Sequence, residues 1–403
     1  MSTALDIAVI GGGPAGLKAA ETALSHGTKV TIYDAKPSLG RKFLVAGKSG
    51  LNLTSDASHE AFMKAYASSP SACVPLPNSL MEEMLKEFSN AHTRAWAKTL
   101  GIDTFVSAGN KVFPEQMKAA PLLRRWLLKL KENGVTVKVN HSLSDIEIKE
   151  KITLKFGNPE LSDVAHDKVI LALGGGSWKN TGSTGSWVSI FEKLGVSVIP
   201  LSAANCGWEV AWPTQVLEKA EGLPIKNIVI HTDSEDQSAV GEIIVTKYGL
   251  EGAPIYKLGR FFRQSPVLWI DLKPSFSVEQ LIAKMESVKK NIFPEAIRRW
   301  KLHPATAAIL EHYHQAQNLS ITELAELCKH CRIDLLNPRP IDEAISSAGG
   351  VCWSELNENL SLIKYPNLYL AGEMIDWEAP TGGFLLQACL ATGFRAATRA
   401  FSF

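Results

Sequence analysis

A chain of 403 residues with 42 Lys and Arg against 41 Asp and Glu, formally +1, has room for two or three domains or for one core carrying an insertion. This balance argues against a surface coated for nucleic acid or membrane and leaves only a local basic face open. No apolar run is long enough to span a bilayer, and residues 1–5 lack a basic leader and run into a core strand, so no membrane and a cytoplasmic location are expected.

Residues 6–10 read as a buried strand, Gly11-Gly12-Gly13-Pro14-Ala15-Gly16 as a glycine turn and 17–26 as a helix. A second strand at 29–33 ends on Asp34, about 20 residues past the turn, the separation at which an acid accepts hydrogen bonds from an adenosine ribose. In this order each residue type has a task. Gly11 permits the tight turn, Gly13 lets backbone N–H groups approach a pyrophosphate, and Gly16 lets helix and strand pack closely. The helix start directs its partial positive charge at the phosphates. A structural glycine turn that binds nothing is the competing reading, and the strand, turn, helix, strand and acid together favour a nucleotide.

Residues 36–54 carry spaced glycines, among them Gly40, Gly47 and Gly50, and do not read as a regular element. Long irregular stretches in compact domains serve function, and here Arg41, Lys42 and Lys48 can meet phosphate or an electron-rich ring; a solvated surface loop is the plainer alternative. Helices are expected at 59–66, 79–88, 92–100 and 119–133, a turn at 111–114, and strands at 135–139, 151–156 and 167–173. Gly174-Gly175-Gly176 follows, without the later glycine and helix that a separate nicotinamide motif would need.

From about residue 200 the character changes to strand-like stretches at 227–232, 242–246 and 267–272, a glycine turn at 248–252, and helices at 278–289, 305–315 and 321–331. Lys and Arg outnumber Asp and Glu between 257 and 303, with clusters at Lys289-Lys290 and Arg298-Arg299-Trp300-Lys301. A basic face with a tryptophan can dock a phosphorylated or nucleic-acid substrate, although solvated helices are the simpler explanation. Six cysteines form no disulfide framework. Cys328-Lys329-His330-Cys331 has the spacing of a redox dithiol or half a zinc site but lies in an expected helix with no second ligand pair, so no metal is expected and a redox role is the lesser reading.

A short strand at 367–371 leads to Gly372-Glu373-Met374-Ile375-Asp376-Trp377, and Pro380-Thr381-Gly382-Gly383-Phe384 opens a helix at 385–400. An NAD site would close within one Rossmann unit and leave this arrangement without a task. FAD is longer: its ribityl hydroxyls need acceptors such as Glu373 or Asp376, and its ring can sit against the start of the last helix, whose dipole favours the negative charge of reduced flavin. FAD is therefore the expected cofactor.

These motifs, together with Val112-Phe113-Pro114, Ala348-Gly349-Gly350-Val351 and the run from Thr381 to Gln387, give the chain a resemblance to the BaiN-like NAD(P)/FAD-dependent oxidoreductases over almost its whole length. The resemblance implies an α/β architecture: a Rossmann-like FAD-binding domain of the glutathione-reductase type at 1–195 and 346–403, with an inserted domain of barrel-like β and helical parts at 196–345. It implies that Gly11, Gly13, Pro14, Ala15, Gly16 and Asp34 hold adenosine and pyrophosphate, and that Gly40, Arg41, Lys42, Lys48 and Asn52 run along the flavin. Gly174 joins the cofactor set, and Gly372, Glu373, Asp376, Gly382, Gly383 and Phe384 supply ribityl and ring contacts. It further implies NAD(P)H as a transient donor and hydride transfer from flavin N5 to an activated double bond. Family members are linked to bile acid intermediates and to uracil in ribosomal RNA, so a small molecule or a nucleobase is the expected substrate.

Lys48 and Asn52 are the candidates for catalysis, with Tyr248 and Lys247 on the substrate side. Many members carry Gly-Arg-Cys-Asn where this chain has Ser49-Gly50-Leu51-Asn52, which marks a separate branch. An RNA-modifying enzyme docking through the basic insertion and a non-catalytic flavin-binding redox sensor are the alternative functions.

Overall fold

In the computed structural model, residues 4–234 and 236–401 are described; residues 1–3, on which the expected lack of a basic leader partly rests, lie outside them. The chain divides into two units, residues 1–202 with 345–403, and residues 203–344.

The first unit is built on a five-stranded parallel sheet in the order Leu368–Leu370, Lys168–Leu171, Asp6–Ile10, Lys29–Tyr33, Thr136–Lys138. Its central strand is apolar from Ile7 to Ile10 because both faces of a parallel sheet are covered. Pro14 occupies the first turn of helix Pro14–Ser25, where a missing N–H is harmless. The last helix, Phe384–Arg399, packs on that first helix so closely that a Cβ on Gly393 would lie 2.3 Å from the Ala15 carbonyl oxygen. An antiparallel sheet of Leu143–Ile148, Ile152–Phe156 and Val164–His166 completes one side. Strand Val198–Ala204 pairs with Ser346–Val351, which puts the boundary after Ser202 and not at the 195/196 junction expected from sequence.

Two local readings change. Residues 41–46, expected to be irregular, form the short helix Arg41–Ala46, launched from Gly40 in the left-handed region at φ +70°. Lys111–Pro114 is a strand, paired with Thr54–Ser55 and Thr104–Val106, where a turn was expected.

The second unit holds a six-stranded antiparallel sheet in the order Trp208–Glu209, Gly249–Glu251, Ser238–Thr246, Pro224–His231, Val267–Asp271, Cys331–Asp334. The chain beyond the last strand then returns to the first: Leu336 N–H donates to the Glu209 carbonyl at 2.9 Å, Glu209 N–H to the Asn337 carbonyl at 2.8 Å, and Arg339 N–H to the Gly207 carbonyl at 2.9 Å. The continuation of the last strand thereby covers the edge of the first, as in a barrel. Its helices pack a separate core around Phe262, Leu281 and Trp300.

In the basic stretch the tryptophan does not face outward. Trp300 is 2% exposed and its indole N–H donates to the Leu281 carbonyl at 3.0 Å, so the ring is core and offers no stacking surface. Arg298 and Arg299 both bind the Glu295 carboxylate, at 2.7 and 2.9 Å, and hold its pKa down at about 2. The helix expected at 321–331 ends at Lys329 and Cys331 starts a strand; both Cys328 and Cys331 are fully buried, and burial pushes the Cys328 thiol up to about 12. Residues 305–315 form a short helix, Pro304–Ala308, continued by a π-helical turn, Ile309–Tyr313. Among the described residues no helix is long and apolar enough to cross a membrane.

Candidate dinucleotide site

The glycine turn is shaped by contacts that only glycine allows. Gly11 has φ +104° and donates its N–H to the Tyr33 carbonyl at 2.8 Å; a Cβ there would lie 2.2 Å from the Ala172 carbonyl oxygen. A Cβ on Gly16 would lie 1.9 Å from the Gly11 carbonyl oxygen. Gly13 differs, because nothing lies within 4 Å of its would-be Cβ. Its backbone faces open space.

That space opens into a cleft with an enclosed volume of about 140 Å³. Residues from Gly11 to Ala15, Asp34, Gly40, Arg41, Lys42 and Gly174 line it, and so do Gly372 and Glu373 from the far end of the chain. The expected residues Gly11, Gly13, Pro14, Ala15, Asp34, Gly40, Arg41, Lys42, Gly174, Gly372 and Glu373 are thus brought together. Gly16 lies behind the wall as a packing residue.

Asp34 is held from two sides. Its Oδ2 accepts the Gly12 N–H at 2.7 Å and its Oδ1 the Lys36 N–H at 2.8 Å. Burial raises its pKa against the opposing pull of these bonds. The carboxylate keeps further lone pairs for ribose hydroxyls. Two atoms of the lining residues, Arg41 Nε and Ser183 Oγ, are buried without a protein partner. Buried donors of this kind, with the open backbone at Gly13, suit the phosphate and hydroxyl oxygens of a dinucleotide.

Opposite the turn, Lys42 Nζ lies 2.8 Å from Ser177 Oγ and 2.9 Å from Glu373 Oε2. Glu373 Oε1 accepts the Ser347 N–H at 2.8 Å, and Ser347 Oγ accepts the Gly176 N–H at 3.0 Å. The Cys389 thiol also lines the cleft, and burial raises its pKa to about 12, so it stays protonated at neutral pH. Ser177 and Ser347 lack any local signature of function. Only the fold brings them to Lys42 and Glu373.

The other expected residues lie elsewhere. A Cβ on Gly383 would lie 2.5 to 2.6 Å from Thr54 backbone atoms, so the Gly382, Gly383 and Phe384 helix start abuts the segment that follows Asn52. Asn52 Oδ1 is buried without a partner, and Lys48 is exposed. Tyr66 Oη donates to the Phe384 carbonyl at 2.8 Å. Asp376 is fully buried away from the cleft lining, with its Oδ1 accepting the Ser69 N–H at 3.1 Å. Tyr248 and Lys247 belong to the second unit: the Tyr248 hydroxyl donates to Glu251, the Arg339 guanidinium lies 4.1 Å over its ring, and Lys247 is exposed.

Gln387 ties the last helix to the segments around Thr54, Phe88 and Thr93. Its buried Oε1 accepts from Thr54 Oγ1 at 2.7 Å and Thr93 Oγ1 at 2.8 Å, while its Nε2 donates to the Phe88 carbonyl at 2.6 Å. Gln387→Leu strands two hydroxyls and a carbonyl in the core. It is expected to lower stability by about 2 kcal/mol, read as a lower urea midpoint at unchanged m; an unchanged midpoint would show that the network is dispensable.

A parallel sheet, a glycine turn opening a helix and an acid closing the second strand define a Rossmann-type dinucleotide-binding protein. The chain belongs to the HI0933-like protein Rossmann domain family, whose family model matches residues 5–399. It is similar to the 3-dehydro-bile acid delta(4,6)-reductase of Clostridium scindens, 26% identical over 428 residues and covering 97% of each chain. It is also similar to the ribosomal RNA dihydrouridine synthase of Escherichia coli, 22% identical over 396 residues, with 95% of this chain and 94% of that protein covered. Among solved structures, its fold is shared by 3-ketosteroid-delta4-(5alpha)-dehydrogenase from Rhodococcus jostii RHA1, with TM-score 0.52, 15% identity, and 99% of this chain and 97% of that chain covered.

Proposed function

We propose that the protein is an FAD-dependent oxidoreductase that draws electrons from NAD(P)H and reduces an electron-poor double bond in a small molecule. The observation that carries this reading is the cleft itself, in which the glycine turn and Asp34 meet Lys42, Gly372 and Glu373 from the opposite end of the chain. A site assembled from both chain ends suits a dinucleotide longer than the one a single βαβ unit holds. Likeness to a bile acid reductase over 97% of both chains supports the oxidoreductase class and an unsaturated substrate.

Bound FAD supplies acceptance of a hydride from the nicotinamide and its delivery to the double bond. The protein supplies binding and orientation. Backbone N–H groups of the turn take the pyrophosphate, Asp34 takes ribose hydroxyls, and Lys42 and Glu373 border the other half. The start of helix Phe384–Arg399 lends its dipole near Asn52 and Thr54. The protonated Cys389 thiol leaves the cleft without a thiolate nucleophile.

A second reading, reduction of uracil in RNA, is favoured by the likeness to the ribosomal RNA dihydrouridine synthase. One experiment addresses both. Anaerobic stopped-flow of the purified yellow protein with NADH and NADPH is followed by a cyclic enone or a uridine-containing RNA as acceptor. Bleaching by a reduced nicotinamide and recolouring by the enone are expected; recolouring by RNA alone would favour the second reading. A colourless protein that takes up no FAD would sink both.

A further inference from the structure

We infer that Lys42 and Glu373 set, with opposite signs, how strongly the site prefers reduced over oxidised flavin; this rests on the FAD reading above. Asp34 bonds Gly12 near the start of the glycine turn, whereas a Cβ on Gly372 would lie 2.9 Å from Ala15 Cβ at its helix end. With the adenosine ribose at Asp34, the flavin half of the dinucleotide falls on the Gly372 side, where Lys42 and Glu373 line the same cleft.

The two side chains form an ion pair at 2.9 Å, largely shielded at 27% and 12% exposure, and as a pair they are neutral. Each also has an independent tether. Lys42 Nζ is held by Ser177 Oγ at 2.8 Å, and Glu373 Oε1 by the Ser347 N–H at 2.8 Å. Loss of one charge therefore leaves the other in place. Lys42→Met leaves a bare carboxylate beside the flavin, and Glu373→Gln leaves a bare ammonium.

Two electrons and one proton convert oxidised FAD into an anionic reduced flavin, so a neighbouring negative charge opposes reduction and a positive charge favours it. A shielded site transmits such a charge more strongly than water does. Because both variants remove the same ion pair, a purely mechanical latch would weaken both flavin states alike. Charge alone separates the two variants in sign.

The test measures dissociation constants for oxidised FAD and for dithionite-reduced FAD under anaerobic conditions, in wild type, Lys42→Met, Lys42→Arg and Glu373→Gln. The expected result is a loss of preference for the reduced form of about tenfold in Lys42→Met, which by linkage is about 30 mV in a two-electron potential. Glu373→Gln should gain a similar factor, and Lys42→Arg should stay close to wild type. Shifts in the same direction for Lys42→Met and Glu373→Gln, or an unchanged ratio in variants that retain FAD, would overturn the inference and leave the FAD reading standing. Should Lys42→Met fail to fold, the near-isosteric Glu373→Gln still decides the sign, with Lys42→Arg as the charge-preserving control. A wild-type protein that binds neither form would overturn both.

Discussion

Gly13→Val is expected to abolish FAD binding without lowering thermal stability. Gly13 has φ −81° and ψ −179°, extended backbone that valine adopts freely, and nothing lies within 4 Å of its would-be Cβ. The isopropyl group then projects into the cleft where backbone N–H groups would meet the pyrophosphate. Steric exclusion there is expected to weaken FAD by at least about 100-fold, equivalent to about 2.7 kcal/mol. Absorbance of the purified protein near the flavin band, with titration by fluorescence quenching, reads the loss. Gly16→Val is the contrast, because its Cβ would lie 1.9 Å from the Gly11 carbonyl oxygen and the turn itself must give way. That variant should lose about 3 kcal/mol or more of stability before any question of cofactor arises. A Gly13→Val protein that still purifies yellow with stoichiometric flavin would remove the turn from the binding site.

The second large effect concerns pH. Asp376 is fully buried, its Oδ2 has no partner, and burial, followed by the nearby Glu378 carboxylate, raises its pKa from 3.8 to about 6. The folded protein thus binds this proton more tightly than the unfolded chain. The stability it contributes is present in full below about pH 4 and is lost as pH rises through about 6. Above that, the ionised carboxylate costs about 3 kcal/mol, from a shift of about two units. Asp376→Asn keeps the shape of the protonated acid and cannot ionise. It is expected to melt above wild type at pH 8 and level with it near pH 4, as read by paired thermal scans. A variant less stable than wild type at pH 8 would show that the carboxylate is held by donors that the amide cannot replace.

How much of this was legible in the sequence depends on how local each cause is. The strand Asp6–Ile10, the turn and Asp34 follow from patterns within some thirty residues, and the structure has them in a cleft with Gly372 and Glu373. Helix Arg41–Ala46 was missed because it has six residues, no side-chain cap and a left-handed glycine as its start. The burial of Trp300 was hidden by its charged neighbours and is decided by Leu281 on another helix. Likewise Asp376 reads as a ribityl ligand from its spacing to Glu373, yet the Ser69 N–H far away in sequence fixes where its carboxylate lies. Closure of the barrel depends on Glu209 meeting residues 336 and 337, a pairing that no periodicity announces. What periodicity and turn chemistry determine was readable; what depends on distant partners was not.

The packing of helix Phe384–Arg399 on Pro14–Ser25 has a consequence in time. The glycine turn leaves the ribosome about 370 residues ahead of the helix that backs it, Pro14 against Phe384. At a synthesis rate of about 5–20 residues per second the interval is roughly 20–75 s. Throughout it, buried positions such as Leu17, Ala20 and Ala23 lack the last helix, and Gly372 and Glu373 have yet to be made. Until helix Phe384–Arg399 is made, the nascent chain carries an uncovered apolar flank and no complete cleft.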